Sequence, residues 1–213
     1  MNDEEYFVDT YKTIAFSVVN EISKQSDFFI ETFDKNDLMR KETVRFMLEG
    51  GKRFRPSLSY FVAKSFGHDD LFPHLALETF HKYLLAHDDV IDRDDVRYSN
   101  PTVHKKLEEI LTNKSKEEIE HFGNSLGIIA GDLMEASTYK LIFKSDLSDA
   151  TKVKLGQLVV QAVEEVVWGW YDQFLMDYLP LNSDKLSVTR IEESIIWVTG
   201  KYTMKFPIYF GCA

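Results

Sequence analysis

The chain has 213 residues, 44 % of them hydrophobic, which suffices for one large or two small domains with a sizeable core. Its net charge of −10 opposes general nucleic-acid binding, which needs a basic face, and five prolines and ten glycines do not make a disordered composition. A single cysteine, Cys212, excludes a disulfide framework; with an acidic N-terminus unlike a secretion signal and no apolar run of the ~18 residues needed to cross a bilayer, the expectation is a cytoplasmic protein without a membrane span.

Phe7, Tyr11, Ile14, Val18 and Ile22 recur at helical spacing and predict a long amphipathic helix over 4–32. A second helix, capped by Asn36 or Asp37 and carrying Val44, Met47 and Leu48, ends at Gly50-Gly51. GGKRFRP (50–56) then crowds Lys52, Arg53 and Arg55 at the start of a helix over 56–66, where Pro56 suits the first turn. A helix N-terminus already attracts anions. Three cations there oppose the dipole, so a plain helix boundary leaves a cost unexplained. A diphosphate held by the backbone, a Lys point charge and an Arg fork removes that cost.

Residues 67–70 form a short linker, and 75–92 is the central helix. Its apolar lead-in runs into Asp88, Asp89, Asp92, Asp94 and Asp95. Asp88 and Asp92 lie one turn apart on one face, with Ala86 and Val90 opposite. Such a cluster needs cations or full solvation. Oxygen-only ligands favour Mg²⁺ or Mn²⁺, which spend their remaining positions on water and substrate phosphates. His81, seven residues before Asp88, falls on the same face roughly 10 Å back along the axis. Arg97 and His104 follow in a Pro-containing loop. A solvated acidic helix end followed by a loop remains the plainer reading of the same letters.

Downstream, a short helix over 101–111 starts at Pro101, and Ser115 with Glu118 forms a capping box. Gly123, Gly127 and Gly131 leave a bare stripe that admits a neighbouring helix, with Asp132 and Glu135 just past it. A long helix over 151–179 places Gln173 and Asp177 on one face. Thr189 and Glu192 suggest another capping box before the last helix. No strand-like alternation, phosphate-binding glycine loop or zinc-type cluster is present. The fold class expected is all-α, a bundle of long helices.

GGKRFRP and the DDxxD of HDDVID, in this order, together resemble the trans-isoprenyl diphosphate synthases, the farnesyl and geranylgeranyl diphosphate synthase family. PTVH, AGD at 130–132 and TGKYT at 199–203 match weaker family positions. The resemblance implies a Mg²⁺-dependent condensation of isopentenyl diphosphate with an allylic diphosphate. Lys52, Arg55 and His81 would then hold isopentenyl diphosphate, Asp88 and Asp92 would bind the metal, and Arg97 would meet the allylic diphosphate. Gln173 and Asp177 resemble the family's Gln and Asp on the facing helix, Asp177 as a further metal ligand; counted from Gly169 at the usual spacing, Trp170 and Gln173 fall there instead. Thr199 stands at the Thr of the family's Lys-Thr pair, with Lys201 nearly a turn further on. Phe80, Tyr83 and Leu84 occupy the positions that set product length and resemble a geranylgeranyl-type arrangement, giving a C15–C20 product.

Tyr98 stands where the family has a second arginine, Val198 where it has a lysine, and no second aspartate-rich motif follows. The expectation is one all-helical domain over 1–213, truncated at its C-terminus, in a homodimer or beside a partner prenyl-synthase chain. A non-catalytic or regulatory subunit is the alternative. GGKRFRP argues against a terpene cyclase, which needs no second diphosphate. An all-helical interaction protein with an acidic patch is the remaining reading.

Overall fold

The computed structural model describes residues 3–26, 30, 34–180, 183 and 187–213. The chain forms two compact helical units, Met1–Ser57 with Leu71–Ser145, and Leu58–Asp70 with Asp146–Ala213. Among the described residues the only strands are two of two residues each, as expected of an all-α protein.

In the first unit, α1 (Asp3–Lys24) buries Ile14, Val18 and Ile22, whereas Phe7 stays half exposed. The predicted continuation of this helix to residue 32 falls partly outside the described residues. Asp37, not Asn36, caps α2 (Leu38–Leu48), accepting from the Met39 amide at 2.8 Å. Gly50 and Gly51 turn with φ of +57° and +84°, and α3 begins at Phe54, two residues earlier than expected, running to Ser65.

A 3₁₀ turn, Phe72–Leu75, leads into α4 (Ala76–Ile91). Leu77, Phe80, Leu84 and Ala86 of α4 are buried, chiefly against α6 (Lys116–Lys144). The glycine stripe makes this approach possible: a methyl at Gly131 would strike the His87 ring, and one at Gly127 would crowd His104 and Val90. The Ser115–Glu118 capping box is closed in both directions.

Between α4 and α6 the sequence reading needs correction. Val96–Arg97 (β1) and Asn100–Pro101 (β2) pair antiparallel around Tyr98 and Ser99, both with positive φ (+53° and +67°), as in a type I′ turn. Two-residue strands are too short for alternation to register, and Tyr-Ser is not the Asn-Gly signature of this turn. Pro101 therefore closes a strand, and α5 is only Val103–Leu107, followed by one 3₁₀ turn at Glu108–Ile110.

The second unit is built on α7 (Asp149–Tyr178), with Leu155, Val159, Ala162 and Val166 inward. Ser187, not Thr189, caps α8 (Val188–Ile195), accepting from the Arg190 amide at 3.1 Å. A ten-residue π-helix, Ile196–Lys205, then joins α9 (Phe206–Gly211), whose first turn holds Pro207. Gly211 lies against the Ser59 carbonyl and Val62, too close for a side chain. Among the described residues no helix is long and apolar enough to cross a membrane.

Candidate functional site

The first unit gathers most of the candidate residues around the end of α4. Asp88 is half-buried, Asp89 fully buried, and Asp92, Asp94 and Asp95 are exposed. Burial raises the Asp88 carboxyl above its ordinary range, and the neighbouring Asp92 charge adds to the rise. Burial likewise pushes Asp89 up to about 6, against the opposing pull of Arg97. Arg97 is the local counter-charge. Its Nε donates to Asp89, and Nη2 lies 3.1 Å from Asp88 and 3.5 Å from Asp94. The hairpin delivers it there, anchored by Thr102 Oγ1 donating to the Asp94 carbonyl at 2.9 Å.

Asp89 is the carboxylate that sequence reasoning passed over. One oxygen meets Arg97, while Oδ2 is buried with no hydrogen-bond partner among the described residues. An orphaned carboxylate oxygen beside two repelling carboxylates suits a hard cation. Among the described residues no three Asp, Glu, His or Cys side chains converge to hold a metal ion by themselves. The donors therefore fit a cation that completes its coordination with water and phosphate oxygens.

The basic turn divides its cations. Arg53, with φ of +53°, is buried: it pairs with Glu78 of α4 and donates to the Leu48 carbonyl at 2.6 Å. It thus stitches the turn to α4, which corrects the view of three cations alike at this helix start. Lys52 is exposed, and its carbonyl accepts from Tyr11. Arg55 is half-buried. His81 lies in the combined field: burial, then Arg55, Lys82, Arg97 and Arg53, hold its imidazole well below its usual pKa. A neutral imidazole can donate one N–H to a phosphate oxygen amid these positive charges. His104 does not join this group; it is buried against Gly127 as part of the core.

Below the carboxylates, Tyr83 packs 5.8 Å from the Phe80 ring and 4.9 Å from the His87 ring, centroid to centroid. Burial, with Glu135 and Asp132 of α6 adding, pushes its phenol up to about 12. Phe80 and Leu84 are buried beside it.

The remaining candidates belong to the second unit. Gln173 is half-buried and Asp177 exposed on α7. The buried carboxylate of that helix is instead Asp172, held by Arg190 of α8 at 2.5 and 2.8 Å. No local pattern marks Asp172, because its partner lies eighteen residues away. Thr199 is exposed on the π-helix, and Val198 rests on Gly169. Lys201 faces Glu165 at 3.6 Å and the Trp197 ring at 5.4 Å.

The carboxylate end of α4 and the basic turn before α3 lie together in the first of the two helical units. Residues 37–213 match the polyprenyl synthetase family model, and the chain belongs to that family. It is 29 % identical over 175 residues to a short chain isoprenyl diphosphate synthase of Methanocaldococcus jannaschii, covering 79 % of this chain and 48 % of that protein. It is also 29 % identical over 194 residues to a geranylgeranyl diphosphate synthase of Saccharolobus solfataricus, covering 88 % and 52 %. A geranylgeranyl pyrophosphate synthase of Corynebacterium glutamicum, solved with isoprenyl diphosphate and magnesium, shares the fold with a TM-score of 0.76 and 23 % identity, covering 95 % of this chain and 58 % of that one. The chain spans about half the length of the curated relatives it matches.

Proposed function

We propose that the protein carries the substrate end of a Mg²⁺-dependent prenyltransferase that condenses isopentenyl diphosphate with an allylic diphosphate, giving a C15–C20 and chiefly a geranylgeranyl-length product. One observation carries this reading. The charges of Arg53 in the turn, Arg55 in the first turn of α3 and Arg97 of the hairpin all act on one imidazole, His81, seven residues before the metal-type carboxylate Asp88. Two diphosphates need two such sets of charges, one basic and one acidic with a bridging cation. The names of the relatives support the same chemistry.

In this reading Lys52, Arg55 and His81 hold isopentenyl diphosphate. Asp88 and Asp92, with Asp89 added here, hold Mg²⁺ (Mn²⁺ is the chemical alternative), and Arg97 faces the phosphate oxygens brought to them. The cation, when bound, stabilises diphosphate as a leaving group. The allylic C–O bond breaks, and the bond's electron pair leaves with diphosphate. The double bond of isopentenyl diphosphate attacks the allylic cation, and the new tertiary cation loses a proton to the released diphosphate. Gln173, Asp177, Thr199 and Lys201 belong to the same family span and are assigned to the allylic diphosphate, Asp177 as a further metal ligand. Both units fall largely within that span, so we regard them as parts of one prenyl-synthase domain in a homodimer or paired with a related chain.

The test is a prenyltransfer assay with labelled isopentenyl diphosphate, Mg²⁺ and C5, C10 or C15 allylic diphosphates. We expect elongation that Asp88→Ala abolishes. Diphosphate binding without elongation would replace this reading by that of a subunit awaiting its partner.

A further inference from the structure

Lys82 is the buried charge that the reaction leaves unused. Its side chain is wholly inaccessible, and among the described residues no carboxylate forms an ion pair with it. Its ammonium instead donates to the carbonyl of Glu49, the residue capping α2, and lies 4.6 Å from the Tyr98 ring centroid and 5.1 Å from that of Phe46. Burying a lysine this way costs several kcal/mol unless the site recovers it. A helix that needed only an apolar contact here would be served by methionine or leucine.

Tyr98 supplies the other half. It is held in the left-handed region, where a bulky residue is an outlier. Its ring covers Gly50 so closely that a methyl there would enter the ring, and its hydroxyl reaches towards Gly51. Glu49 adds two ties, accepting from Arg45 and from the Asn100 amide of the hairpin, while Arg45 Nη2 donates to the Pro101 carbonyl at 3.1 Å. The basic turn is thereby fastened to α4 through Lys82 and to the hairpin through Tyr98.

We propose that Lys82 and Tyr98 are a positioning pair for isopentenyl diphosphate: the ammonium ties the end of α2 to the Tyr98 ring, and the ring fixes the Gly50-Gly51 turn from which Lys52 and Arg55 project. This rests on the function proposed above. Lys82 touches no substrate. It acts through the placement of the turn, and its positive charge also lies beside His81. The pair serves the basic site and not the carboxylate end, whose own cation is Arg97.

The test separates the two sites. Isopentenyl diphosphate is titrated in EDTA into the parent protein, Lys82→Met, Lys82→Arg and Tyr98→Leu, and inorganic diphosphate is titrated with Mg²⁺ into the same proteins. We expect Lys82→Met and Tyr98→Leu to weaken isopentenyl diphosphate binding about tenfold, Lys82→Arg to restore part of it, and the Mg²⁺-dependent binding to stay within about twofold. In turnover, KM for isopentenyl diphosphate should rise while KM for the allylic substrate does not. Equal weakening of both ligands, or none in folded variants, overturns the pairing. Should Lys82→Met fail to fold, Tyr98→Leu, at a partly exposed hairpin, decides alone. A parent protein that binds neither ligand sinks the proposed function itself.

Discussion

At the end of α4, three of five aspartates remain exposed; Arg97 pairs with Asp88, Asp89 and Asp94, and Lys105 with Asp95. Beside the turn before α3, Arg53 of the turn and Lys82 of α4 are withdrawn from water, Arg53 paired with Glu78 and Lys82 held by the Glu49 carbonyl and two rings. The acidic end keeps excess charge available to a cation. The basic turn spends part of its charge on architecture so that Lys52 and Arg55 are presented from a fixed frame. An excess charge matters to binding when removed, whereas a spent one matters first to folding.

The largest expected effect breaks the acidic side. Asp88→Ala should lower turnover by about 10³-fold or more, since it removes charge stabilisation of the leaving group. Asp95→Ala should leave turnover within about twofold, because Asp95 is exposed and its ion pair, with Lys105, is a long one at 3.5 Å. Steady-state kinetics at saturating Mg²⁺ distinguish them. Equal losses would mean that the cluster acts as a diffuse charge and not through a defined face.

On the basic side, Arg53→Met strands Glu78 in the core and should destabilise the first unit by about 3–5 kcal/mol. Arg53→Met with Glu78→Leu should recover part of that loss. Urea unfolding measures both, and a double variant no better than the single one would deny that the pair is spent on folding.

A pH titration sharpens the same contrast. Burial lowers the Lys82 ammonium to about 8. Between that value and the unfolded lysine's ordinary pKa of roughly 10.4, the unfolded chain binds the extra proton, so stability must rise with pH. We expect a gain on the order of 1–2 kcal/mol from pH 7.5 to 9.5, absent in Lys82→Met. Above about pH 10 the buried tyrosines Tyr83 and Tyr98, whose phenols are raised by burial, oppose the gain. A flat profile in the parent protein would show that Lys82 is not the desolvated charge described.

These contrasts also mark what was legible in the chain. The Ser115–Glu118 box and the glycine stripe were legible, and the Asp37 cap as one of two candidates, because each depends on residues close together in the chain. The partners that decide how each charge is used were not. Arg53 meets Glu78 twenty-five residues on, Lys82 meets Glu49 thirty-three residues back, and Asp172 meets Arg190 across the loop after α7. Asp89 was visible as a letter, but its orphaned oxygen arises only once α4 is packed. Tyr98 read as a missing arginine; its ring over Gly50 and Lys82 is a property of the hairpin, whose strands are too short to announce themselves.

The smallest expected effect lies at the aromatic pair Phe80 and Tyr83, just before the acidic end of α4. Tyr83 stands beside Phe80 and His87, and in the function proposed above its ring would limit the space open to an apolar tail running from Asp88 along α4. Phe80 and Leu84 are equally buried, and truncating either opens core as well as any tail path, at a cost of about 2–5 kcal/mol. Tyr83→Ala removes the aromatic without disturbing a charge of either kind. It should shift products by one or more C5 units, a change in partition of a few-fold that corresponds to only about 1 kcal/mol. Product sizing by chromatography, with thermal unfolding measured alongside, tests this. A variant that stays folded, elongates normally and keeps its product distribution would remove Tyr83 from the control of chain length and leave the acidic and basic ends as the only parts of the unit on which the chemistry depends.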